Sequence, residues 1–376
     1  MKSRLTLIGM AMVMGTATTG QAADTGKSAV TPPTVGAAEK AEGAATVERA
    51  LALNDRGNRL MSANDPGAAE LLFRQSADVF RSLGPNYEPH LATVLANLAQ
   101  TFAARGDRGR AAEIYKQSLA MNLRSLGPKH IRTVTVTNYL GSAYLMLGDA
   151  DRAEEMFTQA MTVARELYPK DMELASALAG LSAVRARQKR FDEALKLGEE
   201  ALELCIQLEG EDSIDTALMY ADIAEVHRMA GRGDRALPLF RKARATYEKI
   251  LGPSAVRVGS LLSQEGLVLM DDNKLALADR AMTRALETID KACPGCLIER
   301  WIAESNLGLL RLKQGKYHEA DRLFTDALAL EEKCFPTPSK EMAQTLQSLA
   351  IVREKLSRHE DAVRLNQRAD MILSYQ

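Results

Sequence analysis

The chain has 376 residues, with 48 basic and 49 acidic side chains and a formal net charge of -1. It is 46% hydrophobic and 5% aromatic, which is the composition of an ordinary soluble protein. Because binding to nucleic acid phosphates needs a clustered surplus of Lys and Arg, the balanced charge argues against a nucleic-acid-binding function. The length allows two or three domains or one continuous array of repeats.

The segment 1–22 has the features of a secretory signal peptide. Lys2 and Arg4 precede an apolar stretch that ends near Ala17, and small residues at Gly20 and Ala22 suit a cleavage site. The stretch is shorter than the roughly 20 residues that cross a bilayer. We expect an exported protein, periplasmic or secreted, with no membrane span after cleavage. The alternative is a disordered apolar N-terminus on a cytoplasmic protein.

Residues 23–45 are rich in Ala, Gly, Thr and Pro, which predicts a flexible linker. From residue 46 to 376 one pattern recurs, anchored on an Ala at a constant place. The anchor alanines are Ala69, Ala111, Ala153, Ala194, Ala236, Ala278, Ala320 and Ala362. The interval between neighbouring anchors is the same throughout, except that Ala153 and Ala194 are closer by one position. This regular spacing predicts eight repeats of one structural unit.

Each repeat has the side-chain pattern of two packed helices. The residue four after the anchor is usually large, as in Phe73 and Phe157, and the residue seven after it is small. These offsets fall on one face of a helix. Thirteen before the anchor, a Leu precedes a small residue, as in Leu140-Gly141. A small residue lets a neighbouring helix approach closely, so each repeat is predicted to be an antiparallel helical hairpin.

Several short stretches carry a family resemblance. Residues 126–128 and 251–253 read Leu-Gly-Pro, residues 315–320 run from a Gly to an anchor Ala, and residues 97–99 read Asn-Leu-Ala. These stretches resemble tetratricopeptide repeats of the long kinesin-light-chain type, and the resemblance extends over the whole repeating part of the chain. It implies an all-α, right-handed superhelical solenoid of about eight helical hairpins, whose first helices line a concave groove.

In that family the groove binds a segment of another protein, so the resemblance implies a non-catalytic interaction scaffold with a protein or peptide partner. Asn97 and Asn306 match the position from which Asn often bonds a bound peptide's backbone, and Asn138 stands next to Tyr139. Counting from the anchors, the candidate groove residues are Thr93, Asn97, Gln100, Thr135, Asn138, Tyr139, Ser142, Asp222, Glu225, Gln264 and Asn306. The alternative is that the Asn side chains only satisfy neighbouring groups of the helix pair.

Three of the four cysteines are candidates for a disulfide. Cys205 falls on a core stripe, whereas Cys293 and Cys296 share a loop and Cys334 follows almost one repeat later. In an oxidising compartment either Cys293 pairs with Cys296, or one of them pairs with Cys334. The spacing slightly favours Cys296 with Cys334, since displacement by the loop could bring Cys296 within bonding distance.

No nucleotide-binding, metalloprotease or serine-hydrolase motif occurs, and we expect no catalytic residue, metal site or cofactor. Two other functions are consistent with the sequence. One is a thiol-disulfide redox module acting through Cys293 and Cys296. The other is a self-assembling structural protein, in which the last helix, with Met371, Ile372 and Leu373, packs against another copy.

Overall fold

The computed structural model describes residues 37–63, 65–293, 295–335 and 338–374, with side chains from residue 46 onward. The predicted signal peptide, residues 1–22, lies outside these ranges. The described residues contain sixteen α-helices, a single 3₁₀ turn at Pro85–Tyr87 and no β-strand. They divide into two compact units, an N-terminal unit that ends at Gly180 and a C-terminal unit that begins at Leu181.

The N-terminal unit consists of three complete hairpins and the start of a seventh helix. Its helices are α1 (Ala37–Ser62), α2 (Pro66–Ser82), α3 (Glu88–Ala104), α4 (Arg108–Ser125), α5 (Ile131–Leu147), α6 (Ala150–Leu167) and the first part of α7 (Met172–Arg187). Within it α1 packs on α2, α3 on α4 and α5 on α6. Odd-numbered helices are therefore the first, and even-numbered helices the second, of each hairpin.

The C-terminal unit continues the same alternation. After the end of α7 its helices are α8 (Phe191–Glu209), α9 (Ile214–Met229), α10 (Gly233–Leu251), α11 (Val256–Asp271), α12 (Leu275–Ala292), α13 (Leu297–Lys313), α14 (Tyr317–Cys334), α15 (Lys340–Lys355) and α16 (His359–Ser374). Consecutive helices from α9 to α16 pair as hairpins. The structure is therefore the all-α stack of hairpins that the spacing predicts.

The start of α1 differs from the sequence expectation. The helix begins at Ala37, so residues 37–45 are helical although they fall in the predicted flexible linker. This stretch contains several Ala residues together with Glu and Lys, all of which have high helix propensity, and only one Gly. The remainder of that segment, residues 23–36, lies outside the described ranges.

The turn inside each hairpin from α3–α4 to α15–α16 has one left-handed residue. Gly148 ends α5 with φ 85°, and its N–H and that of Asp149 bond back to the carbonyls of Leu145 and Tyr144. The equivalent residue between α15 and α16 is Ser357, with φ 61° and the same pattern of backbone bonds. A side chain with a Cβ is strained in this region, so Gly is the natural choice at the position.

The anchor alanines form the centre of the core. All eight have no exposed surface. The large residue four positions later is also buried and lies against small residues of the first helices, as Phe157 does against Gly141 and Gly180. The large-against-small packing predicted from the sequence is confirmed at Phe73, Phe157, Met282 and Phe324, each of which lies against a Gly of a first helix. It explains why these hairpins can pack their helices closely.

Candidate functional site

The first helices form one layer in each unit. In the N-terminal unit α3 packs against α1 and α5, and in the C-terminal unit α13 packs against α11 and α15. Side-chain bonds also join neighbouring first helices, for example Asn97 with Asn54 and Asn306 with Ser263. In a curved stack of hairpins, the helices on the inner side lie closest to their counterparts in the neighbouring hairpins. This layer is therefore where the predicted groove residues should lie.

Six of the predicted residues lie together in the N-terminal unit. They are Thr93, Asn97 and Gln100 on α3 and Thr135, Tyr139 and Ser142 on α5, and we call them the polar face. Thr93 is exposed and the other five are half-buried, so all six are open to a ligand. Their offsets of four and seven residues place three side chains along each helix. The result is a neutral surface of hydroxyl and amide groups.

Hydrogen bonds fix two amides of the polar face. Nδ2 of Asn97 donates to Oδ1 of Asn54 at 2.9 Å, and Gln100 hydrogen-bonds the hydroxyl of Tyr139. The side-chain oxygen of Asn97 has no donor among the described residues. Asn97 therefore has a fixed orientation and a free acceptor. Asn54 was not among the residues predicted from the sequence, although its place about one repeat before Asn97 is a signal that could have identified it.

Tyr139 contributes an aromatic ring as well as a hydroxyl. Its ring centroid lies 5.7 Å from that of Tyr115. Burial, with a smaller contribution from the charge of Glu173, raises the pKa of Tyr139 to about 12. The hydroxyl is therefore protonated at neutral pH and can both donate and accept a hydrogen bond.

Asn138 does not belong to the polar face. It is 3% exposed, and its Nδ2 donates to both the backbone oxygen and the side-chain Oε2 of Glu173, each at 2.9 Å. Thr135 donates to the other carboxylate oxygen of Glu173 at 2.7 Å. Burial raises the pKa of Glu173, and these two bonds oppose the rise. Asn138 thus joins α5 to α7, which is the alternative role the sequence allowed.

The predicted groove residues of the C-terminal unit are mostly inaccessible. Glu225, Gln264 and Asn306 are exposed by 5%, 2% and 0%. Nδ2 of Asn306 donates to Oγ of Ser263 at 3.0 Å, between α13 and α11. The prediction that these three residues line an open groove is therefore wrong for this structure, because the neighbouring first helices cover them. Asp222 alone is half-buried.

The cysteine pairing favoured by the sequence is also wrong. Cys293 is bonded to Cys296, with Cα atoms 5.3 Å apart, and Cys334 is a free, half-buried thiol. The N–H of Cys296 bonds to the carbonyl of Cys293 at 3.0 Å, so a tight turn brings the pair together within the loop. Burial raises the pKa of Cys334 to about 11 and that of Cys205 to about 12. Both free thiols are thus protonated at neutral pH, and neither has the character of a nucleophile.

Neither a metal site nor a membrane span occurs in the described ranges. Among those residues, no group of three or more His, Cys, Asp or Glu side chains is placed to hold a metal ion. None of the described helices combines the length and apolar character needed to cross a membrane.

Comparison with known proteins gives a family match over more than half of the chain. A family model described as tetratricopeptide repeat matches residues 90–166, 173–249 and 301–369. The Clustered mitochondria protein homolog of Candida albicans is 28% identical over 228 residues, which are 59% of this chain and 16% of that protein. Protein KINESIN LIGHT CHAIN-RELATED 1 of Arabidopsis thaliana is 21% identical over 217 residues, 57% of this chain and 35% of that protein.

The chain therefore covers less than half the length of these two relatives. Among solved structures, a tetratricopeptide repeat protein from Parabacteroides merdae superimposes with a TM-score of 0.51 at 16% identity. The superposition covers 80% of this chain and 99% of that one. At this level of identity the likeness concerns the fold.

Proposed function

This chain belongs to the tetratricopeptide repeat family, with repeats of the kinesin-light-chain type, and from that premise we propose that it binds a segment of another protein on the polar face of its N-terminal unit. Tetratricopeptide repeats generally mediate protein–protein interaction. We further propose that the chain is a scaffold without catalytic activity of its own.

The observation that carries the proposal is the open, neutral character of the polar face. An extended peptide presents a backbone donor and acceptor at nearly every residue. Hydroxyl and amide groups can satisfy both kinds of group, and those of Asn97, Gln100 and Tyr139 are already held in place by side-chain bonds. A preorganised surface loses less side-chain entropy on binding, which favours affinity.

The arrangement also has the dimensions that a peptide requires. Neighbouring helices lie roughly 10 Å apart, and side chains one turn apart on a helix are separated by about 5 to 6 Å. A segment of about five extended residues, at roughly 3.3 Å per residue, therefore covers both helices of the polar face. Tyr139, the middle one of the three polar-face residues on α5, is the type of residue that often dominates binding energy.

We also propose that the partner is met outside the cytoplasm. The support is the sequence of residues 1–22, which has the charge and apolar pattern of a signal peptide, and the Cys293–Cys296 disulfide, which suits an oxidising compartment. The redox module and the self-assembling protein stay predictions from the sequence, and no structural observation favours either over peptide binding.

Selection from a random peptide library on the purified full chain tests the proposal. The test variant is Thr93→Arg with Ser142→Arg, which places two large charged side chains on the polar face. The matched control is Thr158→Arg with Ser82→Arg, which makes the same two changes at exposed positions of second helices in the same unit. We expect the selected peptides to bind the wild type and the control alike, and the test variant at least about tenfold more weakly.

Equal binding to all three proteins would show that the peptide binds somewhere other than the polar face. Recovery of no binding peptide at all would contradict peptide binding as the function. Circular dichroism of both variants will show whether a loss of binding is caused by a loss of structure.

A further inference from the structure

The exposed side of α12 and α14, two second helices of the C-terminal unit, is rich in positive charge. Positions two, six and thirteen residues after the anchors Ala278 and Ala320 fall on the side of each helix opposite the anchor. Five of these six positions are basic and exposed, and we call them the basic face: Arg280, Arg284, Lys291, Arg322 and Lys333. Only two exposed carboxylates, Glu287 and Asp326, lie among them on these helices.

Four side chains of the basic face have no partner among the described residues. No hydrogen bond or ion pair with that part of the chain is made by Arg280, Lys291, Arg322 or Lys333. Arg284 has a single contact, with Glu248 of α10 at 3.6 Å. The positive charge of this surface is therefore largely available to a ligand.

The carboxylates beside the basic face are already engaged by arginines of other helices. Asp279 of α12 accepts hydrogen bonds from Arg311 of α13, and Glu319 of α14 lies 2.7 Å from the same guanidinium. Glu332, near the end of α14, pairs with Arg368 of α16 at 2.6 Å. Because these acidic groups are held by neighbouring helices, they do not neutralise the basic face.

Stacking of the repeats does not require positive charge at these positions. On α6, in the N-terminal unit, Glu155, Gln159 and Glu166 stand at the same three offsets from their anchor. The same helix position thus accepts either sign of charge, as expected of side chains that do not pack in the core. The cations of the basic face therefore need an explanation other than packing.

The unpaired cations are spread over an area rather than along a line. The helix α13 packs against both α12 and α14, so equivalent positions on these two helices are roughly 10 Å or more apart. Along each helix, eleven residues separate the two unpaired cations, which is about 16 Å. The four charges thus mark the corners of a broad patch.

We propose that the basic face docks the C-terminal unit on a lipid surface that carries negative charge. Phosphate headgroups lie against the four unpaired cations, whose long side chains keep their charged ends among the headgroups. Leu277, one turn before Arg280 and 49% exposed, adds an apolar side chain that enters the interfacial layer. The proposal is independent of the polar face, which belongs to first helices of the N-terminal unit.

The shape and composition of the surface favour lipid over other anionic partners. An extended acidic peptide is about as wide as one strand, roughly 5 Å, and would contact the cations of one helix only. A single-stranded nucleic acid needs aromatic side chains on which its bases stack. The helix α12 has no aromatic residue, and Tyr317 and Phe324 of α14 are not exposed. A headgroup layer meets the whole patch and also accepts Leu277.

Cosedimentation with vesicles tests the inference. The vesicles are phosphatidylcholine alone or an equal mixture of phosphatidylcholine and phosphatidylglycerol. Every protein begins at Ala23, because the apolar stretch within residues 1–22 would bind lipid by itself. The test variant replaces the four unpaired cations, as Arg280→Gln, Lys291→Gln, Arg322→Gln and Lys333→Gln. The matched control removes two Arg and two Lys from exposed positions elsewhere, as Arg56→Gln, Arg59→Gln, Lys170→Gln and Lys196→Gln.

We expect the wild type and the control to bind the mixed vesicles at least about tenfold more strongly than the test variant does. None of the proteins should bind phosphatidylcholine alone, and added salt should weaken the binding of the wild type. The four positions are exposed and unpaired, so the test variant should keep its fold, which circular dichroism checks. If it unfolds, Arg280→Gln with Arg322→Gln should still lose at least about threefold.

Equal binding of the three proteins to the mixed vesicles, or failure of the wild type to bind them, would overturn the inference. A Glu-rich peptide and a single-stranded oligonucleotide are tested on the same proteins. If one of them binds the wild type but not the test variant while the vesicles do not bind, the basic face recognises that class of partner instead of lipid. The polar face is unaffected by these outcomes, since the library experiment tests it separately.

Discussion

The ring of Phe157 occupies the space that a side chain at position 180 would need. A Cβ added to Gly180 would lie 2.3 Å from Cε1 of that ring, which is well inside any real contact distance. Phe157 is on the second helix of one hairpin, and Gly180 is on the first helix of the next. The contact therefore fixes how closely successive hairpins approach in the N-terminal unit.

Gly180→Ala should destabilise the protein for this reason. We expect the free energy of unfolding to fall by about 1 to 3 kcal/mol, the usual effect of overpacking a core. Gly109→Ala is the matched control, because a Cβ at Gly109 meets no atom within 4 Å and the position is helical. Urea denaturation should show a control that is unchanged or more stable by about 0.5 kcal/mol. A stable Gly180→Ala variant would mean that the hairpins are further apart.

Ser357→Gly should stabilise the last hairpin. Ser357 has φ 61° in the turn where Gly148 and Gly315 stand in other repeats, and its side chain is exposed. Relief of the left-handed strain is expected to raise the free energy of unfolding by about 1 kcal/mol. Thermal denaturation checks this, with Gly315→Ser as the reverse change and an expected loss of similar size. A stability that falls in Ser357→Gly would contradict the left-handed turn.

Asp279 should make stability depend on pH. Arg311 donates hydrogen bonds to both carboxylate oxygens of Asp279. These bonds, together with those from Gln314 and Thr283, lower the pKa of Asp279 to about 2. Because the folded-state pKa is below that of the unfolded chain, the contribution is fully present above about pH 4 and is lost as the pH falls toward 2. Asp279→Asn should therefore cost about 2 kcal/mol at pH 7.

Urea denaturation of the wild type and of Asp279→Asn at several pH values measures this contribution. The difference between the two proteins should shrink as the pH falls from 4 to 2. Glu287→Gln, at an exposed position without a bonded partner among the described residues, is the control and should show no such change. A difference that is independent of pH would contradict the assigned ion pair.

Counting thiols tests the cysteine pairing. With Cys293 bonded to Cys296, protein unfolded without reductant should contain two free thiols, and reduced protein should contain four. After tryptic digestion both bonded cysteines lie in residues 292–300, while Cys334 lies in residues 334–340. Mass spectrometry should find the first peptide two hydrogens lighter than its reduced form and the second peptide free. A species that joins the two peptides would contradict the Cys293–Cys296 bond and would indicate that one of these two cysteines pairs with Cys334.

The sequence predicts the fold well because the fold depends on spacing. Anchor alanines such as Ala153, and the large residues that follow them, have to recur at fixed offsets if the hairpins are to stack, so their pattern is visible in the chain. The site is predicted less well. An offset shows which face of a helix a residue occupies, but it does not show how near the neighbouring helix lies.

Asn97 and Asn306 illustrate this limit. They have the same offset and make equivalent bonds to the preceding first helix, yet Asn97 is half-buried and Asn306 has no exposed surface. The disulfide shows a second limit, because the pairing depends on the turn between Cys293 and Cys296 rather than on the distance between repeats.

Hydrogen–deuterium exchange of the full chain, with and without a peptide selected from the library, tests the binding site most directly. Binding on the polar face should slow exchange in α3 and α5, residues 88–104 and 131–147. Exchange in the second helices α4 and α6 should be nearly unchanged. Protection concentrated in α4 and α6, with none in α3 and α5, would contradict the site proposed for this protein.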